Sequence, residues 1–174
     1  IGGLGLAFII FILPPIYGEG YDSIKALLNG NQVRFFSGNF LYDLGDQQLI
    51  AIGILMLIII AKPFATAFTL GSGGSGGVFA PSLFMGGVTG FLFARLVQFI
   101  SPSTDISTSN FTLVGMCGVM SGVLHAPLTG IFLIAEITSG YMLFVPLMLV
   151  SAISFTTISY FEKYSIYTKN LIEK

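Results

Sequence analysis

The chain is 174 residues long, 54% hydrophobic and only 9% charged, with a net charge of −1. That charged share is well under half of the roughly 25% usual in soluble domains, and 22 glycines and 17 phenylalanines accompany it. The profile is that of a polytopic membrane protein, and it carries neither the basic footprint of a nucleic-acid binder nor, with a single cysteine, a disulfide frame. Cys117 lies in an apolar run and is expected to be a small buried hydrophobe. The chain opens inside a hydrophobic run at Ile1, without an initiator Met, and is expected to be a piece of a longer protein.

Ile1–Ile16 reads as the end of a spanning helix, with Gly2, Gly3 and Gly5 for close packing and Pro14-Pro15 as its stop. Residues 17–46 hold Glu19, Asp22, Lys25, Arg34, Asp43 and Asp46 among glycines and asparagines, an extramembrane connector with a short helix near Tyr21–Leu28. Gln47–Leu70 is the clearest span, long enough to cross about 30 Å of hydrocarbon. Lys62-Pro63 is expected to interrupt its second half, the lysine either snorkelling toward an interface or pairing structurally, or facing the protein interior. After the stretch GSGGSGG (71–77), Val78–Ile100 is a second span ending at Ser101-Pro102. Arg95 near its end reads as an interfacial anchor, and Gly86 and Gly90 as a GxxxG packing face. Ser101–Asn110 is a polar loop. Phe111–Leu124 and Ala126–Thr138 are shorter apolar helices, the second started by Pro127, and Tyr141–Tyr160 spans fully. The polar tail 161–174, with Lys163, Lys169 and Lys174, is placed in the cytoplasm by the positive-inside tendency. Full spans mixed with short or broken hydrophobic segments point to a transporter-type site built from helix ends.

The glycine loop carries the chemistry, and three readings compete for it. Gly71, Gly73 and Gly76 satisfy GxGxxG, but a dinucleotide site needs a preceding strand and an acid about 20 residues on. Here a membrane span precedes the loop, and the next acid is Asp105. Gly73–Gly77 also fits GxSxG, so Ser75 with the only histidine, His125, could form the dyad of an intramembrane serine protease. The chain lacks Trp, and with it the Trp-Arg loop usual in rhomboid-like proteases. The third reading is an anion site at a helix N-terminus, where the first N–H groups have no internal partner and the dipole is positive. Gly73, Gly74, Gly76 and Gly77 keep side chains out of the way, and Pro81 falls in the first turn. Lys62 is nine residues before the loop and no Lys or Arg follows within ten, so the anion would meet partial charges that bind and release it. The bland alternative is a loop whose glycines serve helix packing.

GSGGSGGVFAPSLFMGG resembles the second-half signature of the CLC family of voltage-gated chloride channels and proton–chloride antiporters, with its G-x-F-x-P core at Gly77-Val78-Phe79-Ala80-Pro81. GVLHAPLTGIFLIAEIT (122–138) is similar to the family's later A-P-L-T-G helix, and YSIYTKNL (164–171) to the start of its final helix. The resemblance covers essentially the whole chain. It implies an all-α integral membrane bundle of tilted, partly short helices, here the C-terminal half of an inverted-repeat subunit. It implies chloride transport without enzymatic activity, cofactor or metal, in a cell membrane. It also implies a homodimer through helices near 126–158, surrounding lipid, and an N-terminal half of the same polypeptide that supplies the gating glutamate. By motif, Gly77, Val78, Phe79 and Ala80 would hold the anion with Gly73, Gly76 and Pro81 in support. Tyr167 would donate its phenolic O–H, and Glu136 would serve structurally at a helix end. His125 stands where arginine or asparagine is familiar. A different class of secondary transporter is the remaining alternative, expected to show uptake without chloride dependence.

Overall fold

A computed structural model describes residues 2–31, 35, 36, 38, 39, 42, 47–101 and 105–168. Arg34, Asp43, Asp46, Pro102, Lys169, Leu171 and Lys174 lie outside the described residues, and with them the last six residues of the expected cytoplasmic tail. Among the described residues the chain is all α, without a strand: α1 Gly2–Ile12, a 3-10 turn Pro14–Ile16, α2 Tyr21–Leu28, α3 Gln47–Gly71, α4 Phe79–Ile100, α5 Thr108–Leu124, α6 Pro127–Ile137 and α7 Phe144–Phe161. Three segments there are long and apolar enough to cross a membrane, namely 48–71, 79–100 and the stretch Phe144–Thr168 that begins with α7. The bundle is that of a multi-pass membrane protein.

Local signals set most of these bounds. Pro14 and Pro15 cannot continue α1, and a 3-10 turn follows. Ser107 caps α5 by accepting the Asn110 N–H at 3.3 Å, and Pro127 opens α6 at a position where its missing N–H costs little. Pro63 differs from expectation: α3 runs unbroken through it. A proline removes one backbone bond, and neighbouring groups in a bundle take up the freed carbonyl or water does. The Lys62 side chain beside it is anchored in the protein interior, 2% exposed, so the lysine does not snorkel.

The core sits on α5. This helix is short for a span, yet it packs on α2, α4, α6 and α7. It buries Thr112, Leu113, Met116, Cys117, Met120 and Ser121. Its tightest seam is with α4. A Cβ on Gly86 would stand 2.6 Å from the Gly115 carbonyl oxygen, and one on Gly90 or Gly115 would overlap the facing backbone. The GxxxG face is therefore a backbone-to-backbone contact, as its spacing predicts. On the other side of α5, Ser121 Oγ lies 2.7 Å from Ser151 Oγ, Ser151 donates to the Pro127 carbonyl at 3.2 Å, and Ser154 donates to the Gly118 carbonyl at 2.6 Å. Hydroxyls thus tie α5, α6 and α7 where apolar packing alone distinguishes helix from lipid poorly. Cys117 is fully buried, its Sγ 3.8 Å from the Leu147 carbonyl, in keeping with its expected packing role.

Candidate functional site

The loop at 72–78 begins as a helix stop. Gly73 has φ 82°, and the N–H groups of Gly73 and Gly74 return to the carbonyls of Leu70 (3.1 Å) and Thr69 (3.0 Å). This pair of bonds is the Schellman closure, which needs a left-handed residue at Gly73. It turns the chain away from α3 and satisfies that helix's last carbonyls. The chain then enters α4 at Phe79, with Val78 as the flanking residue. The Val78 carbonyl accepts both the Ser82 N–H at 3.0 Å and the Ser82 hydroxyl at 2.6 Å.

What remains is a set of free donors. Among the described residues, the N–H groups of Gly76, Gly77, Val78, Phe79 and Ala80 make no hydrogen bond to the protein. Pro81 contributes none. Gly77 is exposed and a Cβ there would meet nothing within 4 Å. Its lack of a side chain is therefore not required by packing, unlike that of Gly86, Gly90 and Gly115. At a helix start such amides carry partial positive charge and point outward along the axis, which suits a small anion.

Four of these five residues, Val78 excepted, line a cavity of about 560 Å³ between α1, the turn after Pro14, α3 and the start of α4. Ser75, Gly76, Gly77, Phe79, Ala80 and Pro81 line it, while Gly73 and Val78, both expected at the site, do not. Tyr167 is not among its lining residues either. It sits on a single helical turn over 166–168 and is 55% exposed. Ser75 and His125 are not brought together. His125 adopts a left-handed φ of 54° between α5 and α6, with Nε2 3.2 Å from the Glu162 carbonyl oxygen and its ring edge-on to Phe155. Nothing there activates Ser75, and the protease reading has no geometry behind it. Glu136 is exposed near the end of α6, where its carbonyl accepts the Ser139 N–H at 3.0 Å. Arg95 is half-buried on α4, with Nε enclosed and without a hydrogen-bond partner among the described residues.

One expectation about the loop is overturned. Spacing along the chain leaves the loop without a nearby cation, but the fold brings Lys62 into the wall of the same cavity. The signal was present in the sequence. Lys62, Ala65, Thr66 and Thr69 recur at i, i+3, i+4 and i+7, a stripe down one face of α3, and all four line the cavity. Glu19 and Tyr17, from the turn before α2, line it as well, and a loop has no periodicity to mark them in the sequence.

Comparison with known proteins agrees with this architecture. Residues 1–159 match the family model described as voltage gated chloride channel. The chain is 36% identical over 142 residues to the "H(+)/Cl(-) exchange transporter ClcA" of Yersinia pestis bv. Antiqua (strain Angola), covering 82% of this chain and 29% of that one. It is 30% identical over 151 residues to the protein of the same name from Vibrio cholerae serotype O1 (strain M66-2), covering 87% and 28%. The chain thus spans under a third of the length of these curated relatives. With a match of that extent over an all-α membrane bundle, the chain belongs to the voltage-gated chloride channel (CLC) family.

Proposed function

We propose that this chain forms part of a chloride pathway, in which the backbone amides at 77–80 hold the anion at the N-terminus of α4. The observation that carries the reading is the run of N–H groups from Gly76 to Ala80 without a protein partner among the described residues, four of them on residues that line a cavity, beside a glycine that packing does not need. Partial charges suit transport because they replace hydration without trapping the ion. The family likeness adds the Tyr167 hydroxyl as a further donor. It also adds an N-terminal half of the polypeptide that completes the pathway, and a second copy that completes a dimer.

The test is chloride efflux from liposomes holding the full-length protein, read with a chloride electrode. Efflux above that of empty vesicles, with calorimetric chloride binding to the same protein, is the expected outcome. Uptake of another solute with no chloride dependence would replace the reading with a different class of transporter. External pH followed in the same vesicles separates exchange from conduction: the two relatives' names lead us to expect protons moving against chloride, and chloride flux with no pH change would make the protein a channel.

A further inference from the structure

The buried Lys62 is a charge whose donors are already used. Nζ donates to the carbonyl of Ile16 at 2.9 Å and to that of Gly18 at 2.9 Å, and it lies over the Phe84 ring, 4.6 Å from the centroid. An ammonium has three N–H donors. Two are taken by carbonyls and the ring occupies the remaining side. Among the described residues no carboxylate pairs with it. Glu19, the acid among the described lining residues, is exposed.

We infer that Lys62 is a positioning residue of the anion cavity, setting its sign without touching the ion; this rests on the chloride reading above. Without the lysine, the Ile16 carbonyl at the end of the 3-10 turn and the Gly18 carbonyl two residues on would stand bare in the wall of the cavity that Gly76, Gly77, Phe79 and Ala80 also line, and would repel an anion. Lys62 occupies both carbonyls and leaves a net positive charge behind them, close enough to line the cavity. Because its donors are committed, it raises the local potential while leaving the ion to the weaker amides. The same side chain fixes the geometry of the site. Phe84 lies on α4 just beyond Pro81, and a Cβ on Gly20 would collide with its ring, so Lys62, the turn and the start of α4 interlock.

The experiment is chloride titration calorimetry on full-length protein purified in detergent, as wild type, Lys62→Met and Lys62→Arg, with thermal unfolding of each. The expected result is a chloride affinity lowered roughly tenfold or more in Lys62→Met, the size of one charge acting across several ångströms of partly screened protein, and retained within about threefold in Lys62→Arg. A purely structural clamp would lower Tm in Lys62→Met without moving the affinity of the folded fraction. Should Lys62→Met not fold, Lys62→Gln keeps a donor without the charge and reads the same quantity. Wild-type affinity in either folded neutral variant would overturn the inference while leaving chloride transport standing. So would folding of the arginine variant with neither neutral one. A wild type that binds no chloride would instead remove the transport reading itself.

Discussion

A Cβ placed on Gly77 meets no atom within 4 Å, whereas one placed on Gly90 runs into the Phe111 carbonyl. The sequence does not separate these two glycines: each stands near apolar residues at a spacing that fits several motifs. Their difference appears only when the other side of the contact is present, a neighbouring helix for Gly90 and open cavity for Gly77. It makes a clean prediction. Gly77→Leu should leave the Tm of the full-length protein within a degree or two, because φ at Gly77 is not in the left-handed region and no atom must move. Chloride affinity should fall about tenfold or more, since a side chain there fills the approach to the amides. Unchanged flux in liposomes would return the loop to a packing role. Tyr167 is the harder residue. Its assignment rests on motif likeness, and its exposed ring lies outside the cavity. If its hydroxyl binds the ion in the complete protein, Tyr167→Phe should weaken chloride by roughly tenfold, the loss of one hydrogen bond to a charge, with the fold intact. A calorimetric affinity equal to wild type would exclude it.

Helices were the most legible level. Apolar length, prolines and the Ser107 cap bound them, and the short helix at Tyr21–Leu28 and the spans at 47–71 and 79–100 fall close to where composition places them. What length could not show was rank. α5, short for a span, is the hub of the bundle, because its glycines and serines let neighbours come near enough to bond or interlock. Lys62-Pro63 misled for a related reason: a charge and a proline inside a span look like an interruption when the carbonyls of the Pro14–Gly18 turn, which hold the lysine, are 44 residues away or more. Two predictions belong at this scale. Gly90→Leu should abolish folded, detergent-stable protein, as the clash is with backbone that cannot swing aside, whereas Thr89→Leu on the exposed side of the same turn should be tolerated. Equal yields of the two would contradict the seam. For the hydroxyl tie, a double-mutant cycle of Ser121→Ala and Ser151→Ala should give a coupling of about 0.5–1.5 kcal/mol, the range for hydrogen bonds between membrane helices. Additive losses would mean the pair at 2.7 Å contributes no stability of its own.

At the level of the whole molecule, the apolar surface is unevenly covered. Leu128 and Phe132 on α6, and Val145, Leu149 and Ile153 on α7, are exposed at i, i+4 spacing and form ridges along adjacent helices. Leu4, Phe8 and Phe11 on α1 are exposed in the same way at the other end of the chain. Hydropathy reads all of them alike, since lipid, a second copy and the rest of a polypeptide are equally apolar partners, and so sequence could say that these faces are covered but not by what. The dimer proposed above would place the α6–α7 ridges against a second copy of the chain. Cysteine crosslinking separates the cases once any cysteine outside this chain is replaced, because Cys117 is fully buried and contributes little background. Ile153→Cys in the full-length protein, oxidised in membranes, should give a band of twice the monomer mass, while Leu4→Cys should remain monomeric under the same oxidant. Crosslinking should persist on dilution with excess lipid, since a specific interface does not depend on crowding in the bilayer. A monomer band for Ile153→Cys, Leu149→Cys and Val145→Cys alike would assign the α7 ridge to lipid and place any dimer contact elsewhere.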